Sequence, residues 1–229
     1  MFTLFLQFHN TDPAARIAAV DLERVRRLAG SVERARKVLV MTPAQARDRY
    51  NSQDPVPVLG IQAYFDTIED AESALTAHAP LAGITAETLP SLAGAVASQQ
   101  VMVARGYAVP EGAEPERDFS CAYMVHYPGH AQDLNAWLGY YIAHHPVIMA
   151  RFPGIIGIEI CTRTDWVDTA PWPRAEHMQR NKVVFASSEA LEAALNSPVR
   201  DEMRADFHDF PPFEGGAIHV PMLCERVVG

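Results

Sequence analysis

The most constraining feature of the sequence is an order of predicted elements that occurs twice along the chain. In residues 2–109 the hydrophobic pattern predicts strand, helix, strand, strand, helix, strand, and residues 119–227 repeat that order. The copies also share local sequence, since the stretch 64–71 resembles the stretch 184–191. Between them, residues 109–118 contain two prolines, one glycine and four acidic residues, which predicts a linker.

The same pattern gives the expected bounds of each element. Asp12 and Pro13 predict the start of the first helix, and Gly30 predicts its end. The expected strands are 2–9, 36–41, 57–65, 99–109, 119–127, 155–163, 181–187 and 217–227. The expected helices are 13–30, 66–79, 131–152 and 188–207.

Two such units in tandem predict an α+β fold of two ferredoxin-like (βαββαβ) halves. The expected halves are residues 1–108 and 119–229, joined by the linker 109–118. Each sheet would carry its two helices on one face. Because apolar residues also occupy the opposite face, we expect the two sheets to pack against each other, sheet to sheet, around a barrel-like cavity.

A narrower motif lies in the second half, where Tyr140, His144 and Pro146 precede Pro153 and Gly154. This pattern is similar to the EthD family over residues 119–215. It consists of an aromatic residue, a histidine four positions later, a proline two positions after that, and a Pro-Gly pair before a strand. The tandem pattern resembles the dimeric α/β-barrel superfamily in a fused form. The first half lacks the histidine motif. The resemblance implies cofactor-independent decarboxylases, dehydratases or isomerases of aromatic metabolism, and the superfamily also includes monooxygenases and haem enzymes.

Three residues are candidates for acid–base catalysis. His126 alternates with Met124 on one face of a predicted strand, at a position equivalent to Gln7 in the first half. His144 is singled out by the motif, and we expect it to reach a common cavity with His126. Glu159 lies in an otherwise apolar strand, where burial would suit it to proton transfer. A structural role in packing or at a strand edge is the alternative for each.

Further residues are candidates for binding the substrate. Gln62 and Tyr64 share a strand face, and Arg105 could hold a carboxylate through its planar fork of donors. Trp166 and Trp172 occupy a long loop that could cover an aromatic ligand, although packing on their own domain is the alternative. The remaining candidates are Gln7, Tyr140, Tyr141 and His219.

Composition and missing motifs narrow the function classes. The net charge of −9 disfavours binding to nucleic acid. No apolar run is long enough for a membrane span, and three widely spaced cysteines are typical of a reducing, cytoplasmic protein. Nucleotide, flavin and dinucleotide fingerprints are absent, and the adjacent pair His144-His145 is a poor chelator, so we expect neither a cofactor nor a metal.

These observations favour a cofactor-independent lyase, either a decarboxylase or a dehydratase. We expect it to use acid–base chemistry on a small, carboxylated aromatic or polyketide-like substrate in bacterial aromatic metabolism. An isomerase or a cofactor-free monooxygenase with the same cavity is one alternative. A non-catalytic haem- or ligand-binding protein is another. The expected partner is a small aromatic substrate, and the sequence leaves a homodimer open.

Overall fold

The computed structural model describes residues 1–51 and 55–229 of the chain. It is an α+β structure in which eight antiparallel strands form a closed barrel. The strands are β1 (Phe2–His9), β2 (Lys37–Pro43), β3 (Leu59–Phe65), β4 (Val96–Tyr107), β5 (Phe119–Tyr127), β6 (Ile155–Arg163), β7 (Gln179–Phe185) and β8 (Ile218–Val228). The helices in the described residues are α1 (Ala19–Gly30), α2 (Ile68–Ser73), α3 (Leu134–Met149), α4 (Ser188–Leu195) and α5 (Val199–His208).

The strand order around the barrel is β1-β3-β2-β8-β5-β7-β6-β4. Within it, the group β4-β1-β3-β2 is followed by β8-β5-β7-β6, so the second four strands repeat the order of the first four. We call β1–β4 with α1 and α2 the first half of the barrel, and β5–β8 with α3, α4 and α5 the second half. The groups join edge to edge, through β2 with β8 and β4 with β6. The expected packing of two separate sheets is therefore wrong in one respect, because hydrogen bonds make them one continuous barrel.

Local capping explains where several helices begin. Asp133 accepts a hydrogen bond from the backbone N–H of Ala136 at the start of α3, and Ser187 accepts one from Ala190 at the start of α4. The predicted helix at 13–30 is shorter than expected, because Asp12 closes a local turn with Ala14 and the helix begins at Ala19. The predicted helix at 188–207 is two helices, with Pro198 immediately before α5.

Alternation along the strands divides the side chains between two environments. One set points into the barrel, which we call the lumen, where Phe5, Met124 and Met222 pack together. The other set points outward and meets the helices. In the first half this helix-facing core includes Leu4, Leu6 and Phe8, and in the second half it is built from separate residues.

The two long connections between the second and third strands of each half cross to the opposite half. From the β6–β7 connection, Trp172 packs in the helix-facing core of the first half. From the β2–β3 connection, Asp48 contacts Tyr123 of β5 and Arg200 of α5 in the second half. Each half therefore helps to close the helix-facing side of the other.

Candidate functional site

A pocket of about 120 Å³ lies between the outer face of the second-half strands and helices α3–α5. Its sheet wall consists of Tyr123, Val125, Tyr127, Asn181, Val183, Ala217 and His219. Its helix wall consists of His145, Met149, Phe152, Leu195, Arg200, Met203, Arg204 and Phe207, and Asn51 comes from the β2–β3 connection. An apolar cavity of roughly 150 Å³ takes up benzene, so this pocket has the size of one aromatic ring.

His145 is the titratable group on the helix wall that is best placed for proton transfer. Its side chain is buried, and its Nδ1 lies 2.6 Å from Oδ2 of Asp206, on α5. The second carboxylate oxygen of Asp206 accepts a hydrogen bond of 3.2 Å from the Tyr140 hydroxyl. With Nδ1–H donated to Asp206, the Nε2 atom carries the lone pair of the neutral ring, as a general base requires.

Burial lowers the pKa of His145 below its ordinary value of 6.5, and the contact with Asp206 opposes this shift. The ring is therefore neutral at pH 7 and able to accept a proton. A neutral histidine is a poor proton donor in the ground state. The site is consequently suited to proton abstraction rather than to initial protonation of a substrate.

Helical spacing places His145 against the sheet. Trp137, Tyr141, His145 and Met149 follow each other at intervals of four residues and are all buried on one stripe of α3. The ring of Phe210 meets the His145 ring edge-on, with 5.0 Å between the centroids. The Tyr141 ring also packs against the imidazole, with 4.7 Å between the centroids, so aromatic contacts and the bond to Asp206 together hold the ring at the pocket wall.

A buried ion pair forms another part of the pocket wall. Arg200 donates to Oδ2 of Asp48 from Nε at 3.1 Å and from Nη2 at 2.8 Å. The Tyr123 hydroxyl donates to the same oxygen. Burial opposes ionisation of Asp48, but the bonds from Arg200 and Tyr123 outweigh it and lower the pKa of the carboxyl. Burial and Asp48 raise the pKa of Tyr123, so its phenol stays protonated.

Asn181 offers an acceptor on the sheet wall. Its amide nitrogen donates to the Tyr141 hydroxyl, while its buried Oδ1 has no hydrogen-bond partner within residues 1–51 and 55–229. A buried acceptor without a partner is energetically unfavourable unless a ligand or a water supplies a donor. A substrate hydroxyl in the pocket would satisfy it.

The structure does not bring His144 and His126 into a common cavity, which corrects the expectation from sequence. His144 is exposed, stacks on Tyr140 and contacts the Tyr140 carbonyl at 2.8 Å. His126 points into the lumen, where its Nε2 lies 3.3 Å from Nε2 of Gln7. The sheet separates the two histidines, because helices cover its outer face and His126 lies on its inner face.

Glu159, Gln62 and Tyr64 do come together, in the lumen. Oε1 of Glu159 accepts a bond of 2.7 Å from the Gln62 amide and one of 3.1 Å from the Tyr64 hydroxyl. Lys182, which the sequence reasoning did not select, donates to Gln62 at 3.0 Å and lies 3.8 Å from Glu159. Glu159 thus faces inward, as the catalytic role would require, but its oxygen is shared within a polar network.

The remaining candidates divide between the pocket and other places. His219 lines the pocket, and Tyr140 and Tyr141 support it through Asp206 and Asn181. Arg105 is exposed and donates to Thr162, away from the pocket.

The two loop tryptophans serve the first half. Trp172 is buried in the first-half core, and Trp166 packs against that core and donates to Gln99. They pack against the opposite half, so neither the expected cover for an aromatic ligand nor the alternative, packing on their own domain, describes them.

Sequence reasoning missed His145, Asp206, Asp48 and Arg200. The buried stripe of α3 was a usable signal for His145, since Trp137, Tyr141 and Met149 share its spacing. The partners Asp206 and Asp48 lie 61 and 75 residues from His145 and Tyr123, respectively, and no periodicity links residues that far apart.

The described residues contain neither a metal-binding cluster nor a membrane-spanning helix. No cluster of three or more histidine, cysteine, aspartate or glutamate side chains in this part of the chain could hold a metal ion. Over the same residues, none of the helices combines the length and apolar character needed to cross a bilayer.

No protein-family model matches the sequence, and no curated protein is similar to it. Solved structures do share its fold. An anthrone oxidase-like protein is 12% identical, with 97% of this chain and 90% of that chain covered and a TM-score of 0.55. A mutant chlorite dismutase from Candidatus Nitrospira defluvii is 9% identical, covering 96% and 90% of the chains, with a TM-score of 0.51.

An EthD family protein from Bacillus halodurans is also among the matches. It is 14% identical and covers 45% of this chain and 95% of that chain, with a TM-score of 0.36. The two matches with TM-scores above 0.5, the anthrone oxidase-like protein and the chlorite dismutase, show a likeness of fold.

Proposed function

We propose that the protein is a cofactor-independent lyase of the dehydratase type, in which His145 removes a proton from a small enolisable substrate. The observation that carries this proposal is the contact of 2.6 Å between His145 and Asp206 at the wall of a pocket of ring size. The lowered pKa of His145 supports a dehydratase over a decarboxylase, because a neutral base takes a proton from carbon before it has one to give.

The proposed step is an elimination that begins with the substrate ring against Tyr127 and Val183. His145 takes the proton from the carbon next to a carbonyl, and the C–H electron pair becomes an enolate. The enolate then forms a C=C bond as the C–O bond of the hydroxyl breaks, and the protonated His145 returns its proton to the departing hydroxide. Asp206 stabilises the imidazolium between these events.

A cofactor-free monooxygenase is the second candidate. It is favoured by the likeness of fold to the anthrone oxidase-like protein. The first step would be the same proton abstraction by His145, followed by attack of the carbanion on molecular oxygen instead of loss of hydroxide. The two candidates therefore differ in their need for oxygen and share their catalytic base.

A haem group does not fit this site. The pair of His145 and Asp206 has the form of an axial histidine with its carboxylate partner. However, the cavity of about 120 Å³ accommodates a single ring, whereas pockets for larger, drug-sized ligands measure roughly 300–1,000 Å³. A tight 1:1 complex on titration with haemin would contradict the proposal.

The probe 5-hydroxycyclohex-2-enone tests the lyase proposal, since it has one ring, is enolisable and gives phenol when it loses water. We expect the purified protein to release phenol from it equally well in air and under argon. His145→Gln should lower the rate by roughly 10²–10⁴-fold. His144→Gln is the matched control, because His144 is adjacent in sequence but exposed, and its rate should equal that of the wild type.

Deuterium exchange measures proton abstraction by His145 independently of the reaction that follows it. In D₂O the protein should exchange the α-hydrogens of cyclohex-2-enone, which has no hydroxyl to lose, and His145→Gln should not. If the product forms in air but not under argon, the monooxygenase proposal replaces the lyase proposal. Exchange that is equal in the wild type and His145→Gln would reject both.

We also infer that the two strand groups of the barrel are tandem ferredoxin-like halves, with the boundaries 1–108 and 119–229 given above. Their repeated strand order supports this division. Cytoplasmic location, a small aromatic partner and a homodimer remain predictions.

A further inference from the structure

Arg180 is a fully buried cation without an anionic partner. Its side chain points into the lumen from β7 and is 1% exposed. Its Nη1 donates to Oε1 of Gln7 at 2.9 Å, and its Nε donates to Oε1 of Gln100 at 3.1 Å. Among the described residues, no carboxylate lies within 4 Å of it, although a buried charge is costly unless it is paired.

The hydrogen bonds around Arg180 fix which atoms nearby are donors. Because the Gln7 oxygen accepts from Arg180, the Gln7 nitrogen is the donor in its contact with Nε2 of His126. The proton of neutral His126 is therefore on Nδ1. This buried N–H has no hydrogen-bond partner in the part of the chain that the structure describes.

A second histidine extends the cluster. The His177 ring stacks on the His126 ring with 5.3 Å between the centroids, and its buried Nδ1 likewise has no partner among residues 1–51 and 55–229. Charge repulsion from Arg180 adds to burial in lowering the pKa of His126, of His177 (to about 3) and of His9. Burial also lowers the pKa of Arg180 to about 9.

We propose that Arg180, His126 and His177 form a binding site in the lumen for a small monovalent anion, either a halide or a carboxylate group. Such a ligand supplies the missing counter-charge to Arg180 and an acceptor for the unpartnered N–H of His126. Larger anions fit less well, because Arg180 is only 1% exposed, and doubly charged anions fit less well, because the site offers a single permanent positive charge. This site is separate from the proposed catalytic pocket, because the β5 and β7 side chains that line that pocket point to the opposite face of the sheet.

Among the described residues, the groups around this cluster are hydrogen-bond donors and neutral side chains, without a free acid. Gln7 and His9 face the cluster from β1, Gln100 from β4, and Cys161 from β6. The lumen carboxylate Glu159 is engaged by Gln62, Tyr64 and Lys182. Because an anion would favour the charged forms of His126 and His177, its binding should be accompanied by proton uptake and should tighten as the pH falls.

Thermal unfolding in chloride-free buffer tests the proposal. Sodium bromide or sodium formate replaces sodium gluconate at constant ionic strength, so that the size and chemical type of the anion change while the total salt does not. At about 100 times its Kd, a bound anion should raise the Tm of the wild type by roughly 5–10 °C. A rise in Tm with bromide alone would identify a halide site, and a rise with formate alone a carboxylate site. A rise with both would show that the site accepts either form of anion.

Arg180→Met should abolish this rise, because the variant lacks the positive charge with which the anion pairs. Arg105→Met is the matched control. It removes one positive charge from an exposed arginine and should keep the full rise. An equal rise in Arg180→Met and in the wild type, or no rise in any protein, would overturn the proposal.

A measurement on the wild type covers the case in which Arg180→Met does not fold. In a bromide titration followed by NMR, the imidazole signals of His126 and His177 should shift and saturate. Those of the exposed His130 and His208 should not. Shifts of the same size in all four histidines would mean that bromide acts only as general salt, and the proposal would be rejected.

Discussion

The helix-facing surfaces of the two halves occupy equivalent places in the barrel but have different chemistry. Phe65 pairs with Phe2 in the first half and Phe185 with Cys121 in the second, which makes Leu6 equivalent to Val125 and Ile61 equivalent to Asn181. In the first half these positions are aliphatic, and Trp172 packs in the same core. In the second half they border a pocket.

This difference shows how one arrangement of strands can serve two purposes. A surface of leucine, isoleucine and phenylalanine can be covered completely and adds stability through buried apolar area. The polar atoms of a surface with tyrosine, asparagine and histidine need hydrogen-bond partners. Such a surface also leaves space that a ligand can fill. We therefore expect substitutions in the first half to change mainly stability and substitutions in the second half to change mainly activity.

The largest stability effect is expected at Trp172, because its indole fills the core of the half that has no proposed site. Trp172→Ala should lower the free energy of unfolding by about 3–5 kcal/mol, measured by urea denaturation. Dehydration of the probe should persist at temperatures where the variant is folded. Trp172→Phe is the control that keeps most of the packing, and a loss of activity without a loss of stability in Trp172→Ala would contradict the division between the halves.

Substituting phenylalanine at the equivalent positions Leu6 and Val125 tests directly whether the two helix-facing surfaces differ in packing. Leu6→Phe overfills a packed core and should destabilise the protein by about 1–3 kcal/mol. Val125→Phe can extend into the pocket, so its stability should change little while phenol release falls about 100-fold through misplacement of the probe. Equal destabilisation by both substitutions would mean that the second half is packed as tightly as the first.

Asp206→Asn tests whether the carboxylate positions His145. We expect a loss of roughly 10–100-fold in rate, in line with losses at other residues that orient a functional histidine. The carboxylate raises the pKa of His145 against the effect of burial, so the variant should also have a lower pKa for this ring. Activity falls as the pH drops through that pKa and the base becomes protonated, and this acidic limb should therefore lie at lower pH in Asp206→Asn. An unchanged limb would assign Asp206 a purely structural role.

The smallest effect is expected at Tyr140, whose hydroxyl donates the second hydrogen bond to Asp206. Tyr140→Phe removes this bond and keeps the ring. We expect a loss of about 0.5–1.5 kcal/mol in unfolding free energy and a change of only a few-fold in rate. A rate loss as large as that of Asp206→Asn would mean that Tyr140 itself contacts the substrate.

Much of the fold could be predicted because it follows from short-range patterns. The bounds of β1, β5 and β6 agree with those expected from alternation, and the contact between Gln7 and His126 follows from their equivalent positions. Closure of the barrel through β2 with β8 depends on hydrogen bonds between distant edges. A hydrophobic pattern records which face of a strand is buried but not which edge it pairs with.

The site was harder to predict because it depends on the rotation of one helix. Adjacent residues on a helix point about 100° apart, so a motif centred on His144 placed the function one residue away from the pocket. Both histidines follow a tyrosine by four residues, and the sequence near them does not distinguish the two pairs. The burial of Trp137 and Met149 distinguishes them, together with the distant carboxylate of Asp206.

The pairing of Met41 with Cys224 has a consequence for synthesis of the chain. At roughly 5–20 residues per second, β2 leaves the ribosome about ten to forty seconds before β8 exists. During that interval the outer edge of β2 offers unpaired backbone groups to any other strand, which is a known route to aggregation. The nascent chain therefore carries a hazard that the closed barrel does not, and the eleven residues of β8 remove it.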